Sequence, residues 1–468
     1  MLQNPEALVN EIVSRVVANL SGAELKKPAL CGNGIFSDMD QAVEACVISQ
    51  KQYVKLTHQK MDKIINAIKQ LAIDNAELLS KMAVEETGLG NYNDKVIKNR
   101  LVGEKTPGLE DLKSESFTGD NGLTLIELSP FGIIGSITPT TNPSETILCN
   151  SIGMLAAGNG VVFSPHPKAK EVSKKTVELI NKAIVANGGP ANLVTTVADP
   201  SMDQAKKLME HPRVDMLVAT GGPGVVKAVL ASGKKAIGAG AGNPPVIVDD
   251  TADIVKAADD IVKGASFDNN IVCVAEKEVI ALKSICDYLI FQMQASGAHL
   301  ITTDSDLKKL ENLVLEGEKK YPHKDFIGKD AKTILQKAGI DHKPTTKLII
   351  VETKKCHPFV QREMMMPVLP IVRADNINEA IEMAIELEHG YRHTAVMHSK
   401  NIDNLSAFAK AIQTTIFVKN GPAYAGLGVG GEGYTTFTIA GPTGEGLTAA
   451  RHFTRKRRCV LVEGFNIR

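Results

Sequence analysis

From residue 36 onward the apolar pattern switches again and again between a helical and a strand period. Residues 38–88 carry apolar side chains at three- and four-residue spacing with few breakers, which predicts helix. Strands are then expected over 122–128 and 131–138, helix to about 157, strand at 161–163, helix over 168–187, strand over 213–219, helix from 223 and strand at 246–248. A second set follows: helix 253–266, strand 277–282, helix 284–296, strand 346–352, helix 376–388, strand 394–399, helix 402–412 and strand 414–419. Such succession restricts the chain to α/β folds with mostly parallel sheets covered by helices. The stretch from Gly238 to Pro245, rich in Gly and Pro, lies between the two sets and reads as a hinge or domain junction, with a ligand cleft expected between two domains.

The bulk properties remove several classes of function. The 53 basic and 53 acidic residues cancel, so no electrostatic drive toward nucleic acid or an anionic membrane is expected. The one basic run, Arg455 to Arg458, reads as a solvated or subunit-interface face. Seven scattered cysteines without a C-x-x-C pair argue against a disulfide framework or a zinc site, so no metal is expected. No apolar run is long enough to span a bilayer, and no secretion signal is seen, which together with the cysteine usage predicts a cytoplasmic protein.

Three segments between the regular elements carry residues suited to chemistry. A strand, the turn Thr220-Gly221-Gly222-Pro223-Gly224 and a helix form a nucleotide-type turn, although the spacing is not G-x-G-x-x-G and a plain tight turn fits equally well. The loop Thr138-Pro139-Thr140-Thr141-Asn142-Pro143 ends a strand and opens an apolar helix. Asn142 reads either as a helix cap or as an amide donor to an oxyanion. Cys273 stands between two valines, the setting of a packing cysteine, but the preceding Asp268-Asn269-Asn270 marks a loop entering a strand, where a cysteine meets a cleft. Cys149 and Cys286 fall within expected helices and read as packing.

Taken together over residues 36–460, these pieces resemble the aldehyde dehydrogenase superfamily. The loop bearing Asn142 resembles its oxyanion loop, Thr220-Gly221-Gly222 its cofactor turn, and Cys273 falls where its nucleophile falls. Glu363-Met364-Met365-Met366-Pro367 is similar to the family's Glu-x-Phe-Gly-Pro segment, which gives Glu363 the nicotinamide ribose. Two departures choose a branch. The stretch from Gly238 to Ala241 stands where hydrolytic members carry Glu-Leu-Gly-Gly, and Ser164, in Phe163-Ser164-Pro165-His166, replaces the usual lysine of the cofactor strand. Residues 235–276 and the His357-Pro358-Phe359-Val360 segment are similar to the CoA-acylating branch, which includes propionaldehyde and ethanolamine-pathway enzymes of bacterial microcompartments.

The resemblance implies NAD and coenzyme A as cofactors and a short-chain aldehyde as substrate. It implies Cys273 and Asn142 as catalytic residues, with Thr138, Pro139, Thr140, Ser164, His166, Thr220, Gly221, Gly222, Gly238 and Glu363 around the cofactor. His166 and the 455–458 run are weak candidates for CoA phosphates. The chemistry agrees: hydrolysis needs a base to deprotonate water, whereas CoA brings a thiol that exchanges one thioester for another.

The implied fold is a Rossmann-like cofactor domain over 35–245 and a catalytic domain over 246–440. A bridging element combines residues near 116–130 with a C-terminal return over 441–468, and is expected to pair subunits into a homodimer or dimer of dimers. Residues 1–20, with Asn4 and Pro5 opening an amphipathic stripe, resemble the encapsulation peptides of microcompartment enzymes, tethered by a linker over 21–34; this implies a shell protein as partner and a location inside a microcompartment. Three other readings stay open on the residues alone: a hydrolytic aldehyde dehydrogenase, a glutamyl-phosphate-reductase-like enzyme, and a catalytically silent, shell-associated nucleotide-binding subunit.

Overall fold

The computed structural model describes residues 33–467. The expected encapsulation peptide over 1–20 and nearly all of the expected linker over 21–34 lie outside the described residues.

Two parallel sheets organise the chain. The first has six strands in the order Ile35–Phe36, Val194–Val197, Gly160–Pro165, Ile133–Thr138, Met216–Thr220 and Lys235–Ala239. The second has seven, in the order Ala298–Ile301, Leu348–Glu352, Val368–Ala374, Glu278–Leu282, Pro245–Val248, Thr394–His398 and Ile416–Lys419. Every neighbouring pair in both sheets is parallel. The central strands Ile133–Thr138 and Gly160–Pro165 are buried at every position, so they read as continuous apolar runs rather than alternating ones.

Helices cover both sheets, and helix Pro143–Ala156 is buried along all 14 of its residues. A third sheet is antiparallel, with strands Glu115–Gly119, Gly122–Pro130 and Thr454–Val462, and its first and last strands are mostly exposed.

The stretch read as a hinge is only partly one. Lys235–Ala239 is the edge strand of the first sheet, paired in register with Met216–Thr220, so the irregular junction shrinks to residues 240–244. Glycine at 238 permits this, because a Cβ there would meet Val226 Cγ1 at 2.7 Å. Strand Val194–Val197 and helix Met202–Glu210 also form where no expectation stood. The strand is four residues long and wholly buried, too short for periodicity to register.

Candidate active site

In the first sheet, strand order reverses beside Ile133–Thr138. The next strand in the chain, Gly160–Pro165, lies on one side and Met216–Thr220 on the other. Loops leaving the carboxyl ends of two such strands diverge and leave a crevice, the usual ligand site of an open α/β sheet. Thr138, Ser164 and Thr220 all lie at this edge, with Thr138 opposite Pro165, Ser164 opposite Ile137 and Thr220 opposite Ala239. His166 is exposed beside them, its backbone N–H donating to Thr138 O at 3.1 Å, while its Nδ1 accepts from the Lys168 N–H.

Helix Pro223–Leu230 opens at Gly222 with no side-chain cap; Pro223 has no N–H and the Val225 and Val226 N–H groups donate to Gly222 O, which leaves the Gly224 N–H for an anion. A Cβ added at Gly221, Gly222 or Gly224 would meet nothing within 4 Å. Internal packing therefore does not demand these glycines, and the open space in front of them suits a pyrophosphate. The Thr138 hydroxyl is buried without a partner at the same edge. These features fit a dinucleotide. Gly238 lies on the edge strand of this sheet, and a Cβ there would meet Val226 and Leu230 of helix Pro223–Leu230.

Asn142 follows directly. It occupies the N-cap of helix Pro143–Ala156 yet makes no capping hydrogen bond. Its Oδ1 accepts from Lys98 Nζ at 2.5 Å, and its Nδ2 donates to Thr141 Oγ1 at 3.2 Å. Lys98 is fully buried and also meets Asp268 Oδ2 at 2.5 Å and Glu145 Oε1 at 3.1 Å.

Asp268 begins the loop that presents Cys273. Asp268, Asn269 and Asn270 take φ values of 48°, 53° and 64°, three successive left-handed residues. Asn and Asp tolerate this region better than other non-glycine residues, which explains the Asp-Asn-Asn sequence. The strain, about 1–3 kcal/mol per residue, must be held by surrounding bonds. Asn269 Nδ2 donates to Gly328 O at 2.9 Å, and Asn270 Nδ2 to Ala265 O and Glu276 O. Lys277, itself buried, donates from Nζ to Asn270 O at 2.8 Å and to Asn270 Oδ1 at 2.7 Å.

Cys273 emerges half-buried at the end of this turn. Burial pushes its thiol up to about 12, the Glu363 carboxylate adds to the rise, and the Lys277 and Lys98 cations oppose it. Glu363 is raised by burial and held back by Lys277 and by the N–H of Gly242. Gly242 lies against both the Cys273 carbonyl and His393, at 2.9 and 3.0 Å from the position of a Cβ. Burial, with the Lys277 cation, pushes the His393 imidazole down to about 4, so it is neutral near pH 7. Asn142, Lys98, Asp268, Cys273, Lys277, Glu363, Gly242 and His393 thus form one continuous chain of interactions.

Lys98, Lys277 and His393 were not anticipated. Lysines are rarely fully buried, and helix Tyr92–Lys105 inverts the usual reading: Ile97 is 42% exposed while Lys95 and Lys98 are at 0%. Among the described residues no group of three or more His, Cys, Asp or Glu side chains is arranged to hold a metal, and no helix is long and apolar enough to cross a membrane.

Comparison with known proteins identifies the family. The aldehyde dehydrogenase family profile matches residues 17–437. The CoA-propanoylating propanal dehydrogenase of Citrobacter freundii is 47% identical over 465 residues, covering 99% of this chain and 99% of its own. The crystal structure of Rhodopseudomonas palustris propionaldehyde dehydrogenase with bound CoA and an acylated cysteine superposes with a TM-score of 0.92 at 58% identity, covering 93% of this chain and 100% of that one. A propionaldehyde dehydrogenase from the Clostridium phytofermentans fucose utilisation bacterial microcompartment superposes with a TM-score of 0.91 at 52% identity, covering 93% of this chain and 100% of that one. With a nucleotide crevice, a loop-borne cysteine and this match over most of its length, the chain belongs to the aldehyde dehydrogenase family.

Proposed function

We propose that Cys273 and Asn142 carry the reaction of a CoA-acylating aldehyde dehydrogenase, which oxidises a short-chain aldehyde of the acetaldehyde or propionaldehyde kind to its acyl-CoA thioester, reversibly. The protein is a CoA-acylating aldehyde oxidoreductase with NAD and coenzyme A as its cofactors. One observation carries the assignment of residues. A half-buried cysteine follows a braced left-handed turn, while the stretch from Gly238 to Gly242, whose last residue lies against the Cys273 carbonyl, offers no carboxylate to activate water.

The Cys273 thiolate attacks the aldehyde carbon, forming an S–C bond as the carbonyl electron pair moves onto oxygen. The Asn142 amide and the Cys273 backbone N–H donate to that oxyanion, and such a donor contributes about 3 kcal/mol. The nicotinamide ring, when bound, supplies the two-electron acceptor that makes the adduct a thioester. Glu363 would hold its ribose, and the Gly221-Gly222 turn would take the pyrophosphate at the start of helix Pro223–Leu230. Thr138, Pro139, Thr140, Ser164 and His166 complete the cleft. The CoA thiolate then attacks the thioester carbon, the same donors steady the second oxyanion, and Cys273 leaves as thiolate.

The domains follow the two parallel sheets, with the cofactor domain over 35–245 and the catalytic domain over 246–440. The three-stranded sheet pairs subunits into a dimer or dimer of dimers, supported by the exposure of Val460 and Val462 on its last strand. Residues 1–20 dock the enzyme to a microcompartment shell.

The test follows NADH from propionaldehyde and NAD with and without CoA, and identifies the product by mass. CoA-dependent formation of propionyl-CoA, abolished by Cys273→Ser, is expected. A Cys273→Ser enzyme keeping more than a few per cent of the rate, or steady CoA-independent release of propionate, would overturn the reading.

A further inference from the structure

Helix Tyr92–Lys105 turns two lysines into the protein interior, where an unpaired ammonium is intolerable. Two buried carboxylates answer them. Lys95 Nζ lies 3.2 Å from Asp268 Oδ2 and 2.9 Å from Thr141 O. Lys98 Nζ lies 2.5 Å from Asp268 Oδ2 and 3.1 Å from Glu145 Oε1. An ammonium has three donors, and the third Lys98 donor goes to Asn142 Oδ1 at 2.5 Å.

That third bond is not required for ion pairing, and it fixes something else. An amide oxygen held by a cation must be the oxygen and not the nitrogen, so the orientation of Asn142 is determined. Its Nδ2 is left with one donor toward Thr141 Oγ1 and a second with no acceptor among the described residues. Asn142 also forgoes the capping bond that its place at the start of helix Pro143–Ala156 would favour. A cation on the amide oxygen polarises the group and strengthens its N–H as a donor. The same ammonium is tied through Asp268 to the left-handed turn five residues before Cys273.

We propose that Lys98 is a positioning residue for the oxyanion: it locks the Asn142 amide with a donor toward the reacting carbonyl, and through Asp268 and Glu145 it holds the Asn142 and Cys273 loops in one register. This rests on the roles given above to Cys273 and Asn142.

The experiment is a mutant cycle. Lys98→Met alone would strand the buried Glu145, so the working variant is the charge-balanced Lys98→Met/Glu145→Gln, which leaves Asp268 paired with Lys95. It is made in the wild-type and Asn142→Ala backgrounds, with Lys98→Arg as a second probe that keeps the charge and changes the geometry, used in the same cycle if the first does not fold. The readouts are kcat and KM for propionaldehyde at saturating NAD and CoA, and the alkylation rate of Cys273 by iodoacetamide, a reaction that forms no oxyanion.

In the wild-type background kcat should fall about 10- to 100-fold with KM changed less than about threefold. With Asn142 already removed, the further loss should shrink below about threefold, because the residue being positioned is gone. Alkylation should change less than about threefold in every variant. Equal losses in both backgrounds, an unchanged kcat, or a parallel collapse of alkylation would overturn the inference while leaving Asn142 its role. An Asn142→Ala enzyme with full activity would instead remove the Asn142 role itself, and the inference with it.

Discussion

At the scale of single residues the site is built from charges that water does not reach. Burial dominates the Cys273 thiol and pushes it up to about 12, with Glu363 adding and Lys277 and Lys98 subtracting. The resting Cys273 side chain is therefore a thiol at neutral pH, and its thiolate fraction must climb with alkalinity. The rate of alkylation by iodoacetamide should rise close to tenfold per pH unit between about pH 7 and 10 with no plateau. A plateau below about pH 9 would contradict the buried-thiol description. Glu363→Gln removes a negative charge beside the sulfur, which stabilises the thiolate and lowers its pKa. Alkylation of that variant at pH 8 should be faster than in the wild type, while its KM for NAD rises as the ribose contact is lost. Slower alkylation would mean that Glu363 helps to ionise the thiol.

At the scale of elements the decisive piece is the turn from Asp268 to Asn270. Asp-Asn-Asn could be read as a polar loop before a strand, and the left-handed backbone that all three adopt has a local cause in those residue types. The clamp could not be named. Asn270 Oδ1 and Asn270 O both accept from Lys277, seven residues on, and Asn270 Nδ2 closes the loop onto Ala265 O and Glu276 O. Asn270→Ala loses the left-handed tolerance and leaves a buried ammonium short of one acceptor. It should cost about 2–4 kcal/mol of stability, read as a lower midpoint in chemical denaturation. A change below about 0.5 kcal/mol would mean that Lys277 finds another partner at no cost. The edge strand Lys235–Ala239 teaches the opposite lesson: Gly and Ala suggested a hinge, but pairing with Met216–Thr220 outweighed weak local preference.

At the scale of the whole molecule, chemistry and location separate. The sheets, the crevice and the Cys273 turn all lie within residues 33–467, and residues 1–20 precede them all in the chain. Deleting residues 1–20 should therefore leave kcat and KM within about twofold, while the enzyme no longer co-purifies with assembled shells; loss of turnover would instead tie that segment to the catalytic body. The order of elements was readable because each is specified by its own neighbours. Helix Ile402–Ile412 follows the helical period of its sequence, and strand Glu278–Leu282 its short apolar run. So was a short set of site candidates, Cys273, Asn142 and Glu363, each standing in a motif of contiguous residues. What only the tertiary structure decided is which of these meet, and through what. Lys98 and Asp268 are 170 residues apart, and Lys95 and Asp268 are 173 apart. No local period marks a lysine for burial; it becomes tolerable only when the folded chain carries a carboxylate to it. The sequence by itself determined the alternation of elements and the polar loop before Cys273, because propensity and periodicity act over a few residues. The tertiary structure decided the buried charges that hold Asn142 and Cys273 together, because ion pairing in a dry interior depends on distance in space and not along the chain.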